Sequence, residues 1–447
     1  MGRYFGTDGI RGPADGPFFE PAFLRKAAAG LAHYLLERAD GKPVHVVIGC
    51  DTRASGPRIV ETITSELSQY GLHVFNGGIA PTPAVAKAVI DLECDLGIVI
   101  TASHNPAADN GIKLFARGGR KFSEQAEAEI EACIDSIQLP AKVARAQTFP
   151  YDTISYYLPF VRSLIHVGDL AGWHIVVDTA NGATTETTPR VLSELGAEVH
   201  RIGDQPDGLN INAGVGSEYP EQLGAQVRKL GACLGLAHDG DGDRLVLVDE
   251  KGCAVDGDAL LGVLAVFYLQ QGMLPGKTVV ATVMSNLGLD EAVENAGGRV
   301  IRTSVGDRNI AQALDSGDYA FGGEPSGHLI FRNILPTGDG LIAATQILRV
   351  MLMTGQPLSA LASSIPLYPQ QILNLPVAEK PDLVSLPGFL DFVSTLENAI
   401  PGRGRILVRY SGTEPKIRLL VEAPNNAALQ AAMAPLEKLV RQYLPVP

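Results

Sequence analysis

The chain has 447 residues, 46% apolar and 19% charged, with a formal net charge of −13 at pH 7. That length exceeds what one hydrophobic core usually supports, and the composition is globular rather than disordered or fibrous. The negative charge argues against a nucleic-acid partner, which calls for a basic surface, and the longest apolar run, 11 residues from Ala259 to Leu269, falls short of the ~20 that a membrane span takes.

An anionic small molecule remains compatible with that charge, because screening over about 10 Å lets a local basic cleft act on its own. Cys50, Cys94, Cys133, Cys233 and Cys253 are scattered with no CxxC spacing, which speaks against a disulfide framework or zinc site and for a reducing cytoplasm. No secretory signal pattern opens the chain. A myristoylation reading of Met1-Gly2 fails at Gly6, where that motif takes Ser or Thr. The run 259–269 reads instead as a buried helix.

In chain order, one unit recurs three times. His45-Val46-Val47-Ile48-Gly49 reads as a buried strand, followed by a helix with Ile59, Val60, Ile63 and Leu67 on one face and a strand over 71–75. The second copy has a strand at 174–177, a helix carrying Val191, Leu192 and Leu195, and a strand at 196–199. The third has a strand at 278–282, a helix through Leu289 and Val293, and a strand at 298–301. Apolar strands alternating with amphipathic helices predict α/β layers with mixed, mostly parallel sheets. Right-handed crossovers put the strand C-termini on one edge, where ligands bind in such sheets. Ser103 follows the strand 96–100 and Asp239 follows 233–237, so both are expected on that edge. The clearest break is Pro366-Leu367-Tyr368-Pro369, a natural hinge. The expected organisation is α/β, with three structurally similar domains (1–150, 151–255, 256–368) and a smaller C-terminal α+β domain (369–447) around a central cleft.

Thr101-Ala102-Ser103-His104-Asn105-Pro106 places a hydroxyl on a stiffened turn after an apolar strand. Ser103 could simply cap that turn. A hydrolase would need a G-x-S-x-G elbow, which is absent, and the adjacent His104 is poorly placed as a base. A serine that already carries a phosphoryl group needs no activation, only stabilisation of spreading charge. Asn110-Gly111-Ile112-Lys113 then supplies a lysine near the strand edge, though a lone Lys113 is equally a solvated surface charge.

In His238-Asp239-Gly240-Asp241-Gly242-Asp243-Arg244, glycines let three carboxylates converge, and like charges that close call for a cation or protons. Hard oxygen ligands suit Mg²⁺; a solvated acidic turn is the plainer alternative. An EF-hand with Glu250 at position 12 fails at position 6, where Arg244 replaces glycine, and at 245–248, which reads as a strand. Arg244 suits a phosphate clamp. Ser304-Val305-Gly306-Asp307-Arg308 and Gly322-Gly323-Glu324-Pro325-Ser326-Gly327-His328 gather groups that hydrogen-bond sugar hydroxyls and move protons. Arg409-Tyr410-Ser411-Gly412-Thr413-Glu414-Pro415, with Lys416 and Arg418 beyond, suits a phosphate that is gripped without reacting.

These motifs, in this order and at domain-sized spacing, resemble those of the α-D-phosphohexomutases over essentially the full length. Tyr4-Phe5-Gly6-Thr7-Asp8-Gly9-Ile10-Arg11-Gly12 and Val305-Gly306-Asp307-Arg308 resemble the bacterial phosphoglucosamine mutase branch. Pro325 departs from the Gln common there, which bears on sugar preference and not on the chemistry. The resemblance implies interconversion of glucosamine 6-phosphate and glucosamine 1-phosphate through a glucosamine 1,6-bisphosphate intermediate, feeding UDP-N-acetylglucosamine synthesis. The alternative is phosphoglucomutase or phosphomannomutase activity. Carried over, Ser103 is the phosphoserine, and with Asp239, Asp241 and Asp243 it holds Mg²⁺. Arg244 and Arg11 face the transferring phosphate, and Lys113 and His328 assist proton transfer. Asp307 pairs with the sugar ammonium, Glu324 and Ser326 bind ring hydroxyls, and Arg409, Ser411, Gly412, Thr413 and Arg418 hold the distal phosphate. The implied partner is a small-molecule sugar phosphate, with no nucleic acid or membrane, for a monomer or homodimer.

Overall fold

The protein is described by a computed structural model over residues 2–6, 8–137, 146–411 and 415–444. It divides into two compact units, Met1–Met284 with Gly298–Ser364, and Ser285–Gly297 with Ile365–Pro447. No helix among the described residues is long and apolar enough to cross a membrane.

The larger unit contains three sheets. The first has β1 (Ile10–Pro13), β2 (His45–Cys50), β3 (His73–Ile79), β4 (Leu96–Ile100), β5 (Asp109–Ala116), β6 (Arg120–Lys121) and β7 (Thr148–Pro150), in the order β1-β5-β4-β2-β3-β7 with β6 on β5. Helices α1 (Pro21–Arg38), α2 (Gly56–Gln69), α3 (Thr82–Asp91) and α4 (Glu124–Ser136) accompany it. Helix α5 (Thr153–Arg162) leads into the second sheet, formed by β8 (His174–Asp178), β9 (Glu198–Ile202), β10 (Leu234–Ala237) and β11 (Val246–Val248), with α6 (Thr188–Glu194) and α7 (Pro220–Leu230). Next come α8 (Gly257–Gln270), the buried helix expected from the apolar run, and the third sheet: β12 (Thr278–Thr282), β13 (Arg299–Thr303), β14 (Phe321–Gly323) and β15 (Leu329–Phe331). Three helices interleave with or follow that sheet, α9 (Leu287–Asn295), α10 (Asp307–Ser316) and α11 (Gly340–Thr354), and α12 (Leu358–Ser363) closes the run.

The repeat is deeper than a strand–helix–strand unit. The strand orders β3-β2-β4-β5, β9-β8-β10-β11 and β13-β12-β14-β15 are the same arrangement: three parallel strands and a fourth that returns antiparallel. The central strands are buried throughout or nearly so; β4 and β12 expose no residue to solvent, as a sheet covered on both faces requires. In all three copies the chain reverses at the C-terminal end of the third parallel strand. Those three reversals carry Ser103, the acidic run 239–243, and the segment 324–328. The sites are thus in equivalent places by topology.

The smaller unit is an antiparallel sheet, β16 (Gln370–Pro376), β17 (Arg405–Tyr410) and β18 (Lys416–Glu422), in the order β16-β18-β17. Helices α13 (Phe389–Asn398) and α14 (Asn426–Tyr443) pack Phe389, Leu429, Met433 and Leu436 against Ile417, Leu419 and Val421. Helix α9 belongs to this unit, although it lies between β12 and β13 in the chain. Asn286, its N-cap, donates to the Tyr368 carbonyl (2.9 Å) and accepts from the Tyr368 amide (2.9 Å), and Tyr368 donates its hydroxyl to Glu291 (2.6 Å). In the chain this helix falls within the expected third α/β copy, between β12 and β13, and its polar partners after 365 tie it to the smaller unit as well.

Candidate active site

Ser103 sits just beyond β4 on a left-handed backbone (φ 54°), a conformation that a non-glycine residue holds only when its surroundings impose it. Here they do. The Ser103 amide donates to Thr101 Oγ1 (2.9 Å), and the Ser103 and Asn105 carbonyls each accept from both Arg53 Nη2 (3.1 and 2.7 Å) and Asn212 Nδ2 (2.9 and 3.0 Å). Arg53 is itself fully buried and paired with Asp51 at 2.9 Å. A guanidinium with five fixed donors is suited to gather several loop carbonyls at once. The result aims the buried Ser103 Oγ at Asp239 Oδ2, 2.5 Å away.

The three aspartates converge as expected, with one carboxylate oxygen of each within 4.8 Å of the others. Both glycines between them are required. A side chain at Gly240 would meet the Ser103 carbonyl at 2.7 Å, and Gly242 has φ 76° with Thr184 2.4 Å from where a Cβ would lie. Asp241 Oδ2 accepts from Thr82 Oγ1 (2.6 Å) and Lys113 Nζ (2.7 Å), Asp243 Oδ2 accepts from Lys113 Nζ (2.9 Å), and Asp239 Oδ1 accepts from the Arg244 amide (3.2 Å). The second oxygens, Asp241 Oδ1 and Asp243 Oδ1, are buried with no hydrogen-bond partner among the described residues. Orphaned carboxylate oxygens on two of three clustered acids, next to a serine hydroxyl, are what a hard divalent cation such as Mg²⁺ would complete.

Lys113 is no surface lysine. It is buried on β5 and touches three carboxylates, Asp241, Asp243 and Asp8 (3.1 Å). Burial opposes its charge, but those three carboxylates win and raise its pKa well above the ordinary value. Asp239 goes the other way: burial, then the charges of Asp243 and Asp241, push its carboxyl well above the usual range. At Asp243 burial is outweighed by Lys113 and His328, which hold it well below that range. Burial lowers and Asp243 raises His328, with a net upward shift; its Nδ1 is 3.6 Å from Asp243 Oδ1 and its Nε2 3.8 Å from Asp307 Oδ2.

The other residues singled out in the larger unit lie around this centre. Arg11, on β1, stands opposite Gly111 of β5 and pairs with Asp8. The Arg244 guanidinium is 3.6 Å from Glu218. Glu324 Oε1 accepts from the Gly306 amide (2.9 Å), joining the loops 304–308 and 322–328, and Ser326 is exposed at the tip of its turn. Asp307 opens α10 and pairs with Lys121. Asp8, Lys121, Arg53 and Asn212 were not singled out from the sequence. Only Arg53 carried a signal, because it follows β2 on the same sheet edge as Ser103.

In the smaller unit, Arg409 on β17 lies directly opposite Arg418 on β18. Burial, then the like charge of Arg418, lowers the Arg409 pKa. Ser411 accepts at its carbonyl from Lys380 Nζ (2.6 Å) and at Oγ from Arg418 (3.5 Å). Two facing guanidiniums, a lysine and a hydroxyl are groups of the kind that bind an anion. Gly412 and Thr413 lie outside the described residues.

Comparison with known proteins agrees with this arrangement. The four phosphoglucomutase/phosphomannomutase domain models match in order: α/β/α domain I over residues 2–141, domain II over 157–252, domain III over 256–368 and the C-terminal domain over 372–438. The chain is 43% identical to a phosphoglucosamine mutase of Moorella thermoacetica, covering 98% of this chain and 99% of that one. It is 41% identical to a phosphoglucosamine mutase of Lactococcus lactis subsp. cremoris, with each chain covered in full. Among solved structures it is similar to a phosphoglucomutase/phosphomannomutase family protein of Burkholderia thailandensis, with TM-score 0.82, 25% identity and 98% of each chain covered. The chain belongs to the phosphoglucomutase/phosphomannomutase family.

Proposed function

We propose that this protein interconverts glucosamine 6-phosphate and glucosamine 1-phosphate through a phosphoserine at Ser103. The observation that carries the reading is the buried Ser103 hydroxyl 2.5 Å from Asp239, in a cluster of three acids of which Asp241 and Asp243 each keep one buried oxygen without a hydrogen-bond partner among the described residues. The substrate assignment is supported by full-length relatives that carry the phosphoglucosamine mutase name.

In the forward direction the phosphorus–Oγ bond of phosphoserine 103 breaks as the free sugar hydroxyl attacks phosphorus, and that hydroxyl releases its proton. The products are a 1,6-bisphosphate and the Ser103 hydroxyl, the proton lost by the sugar being matched by one taken up at Ser103 Oγ. The return step transfers the other phosphoryl group to Ser103, so serine is phosphorylated again and the isomeric monophosphate leaves. No water is consumed. Asp239, Asp241 and Asp243 would hold Mg²⁺, which when bound neutralises charge on the phosphoryl oxygens. Lys113, kept cationic by its three carboxylates, balances the acid cluster and can give a proton, but is ill suited to accept one. His328, between Asp243 and Asp307, is the group placed to pass a proton at the sugar. Arg11 and Arg244 supply guanidinium donors for phosphoryl oxygens. Glu324 and Ser326 serve the ring hydroxyls, and Arg409, Ser411 and Arg418 serve a phosphate.

The test is relative turnover of glucosamine 6-phosphate, glucose 6-phosphate and mannose 6-phosphate by one preparation with Mg²⁺ and catalytic bisphosphate. The expected result is highest kcat/KM for the amino sugar, with isomer formed in excess of inorganic phosphate. Preference for a neutral sugar would reject the substrate, and phosphate release above isomer formation would reject the mutase chemistry.

A further inference from the structure

Six ionisable groups of the larger unit close into a ring. Lys113 Nζ lies 2.9 Å from Asp243 Oδ2 and 3.1 Å from Asp8 Oδ2, and Lys121 Nζ bridges Asp8 Oδ1 to Asp307 Oδ2. His328 completes the circuit between Asp307 (3.8 Å) and Asp243 (3.6 Å). Acids and bases alternate all the way round. Five of the six have a place in the acid cluster, the sugar loop or the N-terminal motif, and Lys121 has none. It lies on the two-residue strand β6 with its side chain 11% exposed, against 13% for Asp307.

We propose that Asp307 and Asp8 form an ammonium subsite which Lys121 fills with its own ammonium until the amino sugar arrives, making Lys121 a specificity-determining residue. The inference rests on the reading above that glucosamine phosphate is the substrate. Its physical basis is the cost of leaving a mostly buried carboxylate unpaired, several times the net worth of an ordinary hydrogen bond. Lys121 removes that cost in the free protein. A substrate ammonium can take its place at Asp307 like for like, while Lys121 keeps its pairing with Asp8. A neutral sugar offers only a hydroxyl, which cannot displace an ammonium from a carboxylate. Asp307 then stays with Lys121, and the neutral sugar forgoes the contact. The Gly306 amide is tied to Glu324, the acid assigned to the ring hydroxyls. Lys121 thus sets how large the preference for the amino sugar is, lowering it below what a bare Asp307 would give, because the substrate ammonium has to displace it.

The experiment compares kcat/KM for glucosamine 6-phosphate and glucose 6-phosphate in Lys121→Met, Lys121→Arg and wild type, both substrates on one preparation. The ratio of the two values is independent of the fraction of protein folded. Without Lys121, Asp307 is left bare to a neutral sugar and open to an ammonium, so the ratio in Lys121→Met should rise at least about tenfold. Lys121→Arg, which keeps a cation there, should stay near the wild-type ratio. An unchanged ratio in Lys121→Met, including an equal loss on both substrates, assigns Lys121 a purely structural role and overturns the inference, as does a fall. If wild type itself does not prefer the amino sugar, the substrate reading fails and takes this inference with it. If wild type prefers it and the variant ratio does not move, only the inference fails.

Discussion

In the larger unit Asp241 and Asp243 share one lysine, Lys113, which also pairs with Asp8. In the smaller unit Arg409 and Arg418 face each other across two antiparallel strands, like charge against like, with Lys380 close by on the Ser411 carbonyl. The first arrangement fixes atoms in place before anything binds, which suits bond making and breaking, where preorganisation is what lowers the barrier. The second sets like charges side by side with hydroxyl and ammonium groups, which suits an anion that must be gripped and let go without reacting. The lesson is that opposite charges gathered on one lysine mark the proposed reacting centre, and facing like charges mark the proposed grip.

That contrast can be broken in several places. Ser103→Ala should abolish mutase activity, by at least about 10⁴-fold in kcat, while melting at nearly the wild-type temperature; retention of activity would remove Ser103 from the chemistry. Arg53→Met should cost about 3–5 kcal/mol in urea unfolding, the size expected when one partner of a buried ion pair is removed, because Asp51 loses its cation and two loop carbonyls lose one of their two donors. A loss under about 1 kcal/mol would mean the Ser103 turn is held by other contacts. Arg418→Ala should act on the grip alone. We expect KM for the sugar phosphate to rise about 10- to 100-fold, the worth of a charge-assisted hydrogen bond, with kcat nearly kept; an equal loss in kcat would erase the distinction between the two regions.

The smallest effect concerns Asp339, the N-cap of α11, which accepts from the Leu341 and Ile342 amides and from the Tyr157 hydroxyl (2.7 Å). Burial raises its carboxyl to about 6 against these hydrogen bonds. A carboxyl raised on folding stabilises the native state below its unfolded pKa, and that contribution is lost as pH rises through the folded value. Asp339→Asn removes the titration while keeping an acceptor for the amides. Between about pH 7 and about pH 5, wild type should gain about 1 kcal/mol of stability over the variant. Parallel stability curves would show that Asp339 does not titrate in that window.

Much of the larger unit was legible because buried parallel strands are continuous apolar runs; the strands 96–100 and 278–282 begin and end where the residues predict. The acid cluster was legible too, since glycine-spaced aspartates state their own geometry. What pattern could not reveal depends on contacts between distant segments. By itself Lys113 reads equally as a surface charge, and Lys121 carries no pattern at all, until the N-terminal loop brings Asp8 to both, more than 100 residues away along the chain. Arg53 is one arginine among many until it is seen under the Ser103 turn. Helix α9 has an ordinary amphipathic pattern, and only its polar partners beyond residue 365 assign it to the smaller unit.

The whole account turns on whether Ser103 carries the phosphoryl group. Intact-mass measurement of the purified protein, after incubation with glucosamine 1,6-bisphosphate and alongside Ser103→Ala, addresses this directly. The mass of one phosphoryl group should be gained by wild type and be missing from the variant. A phosphorylated Ser103→Ala, or a wild type that turns over substrate while never carrying phosphate, would contradict it.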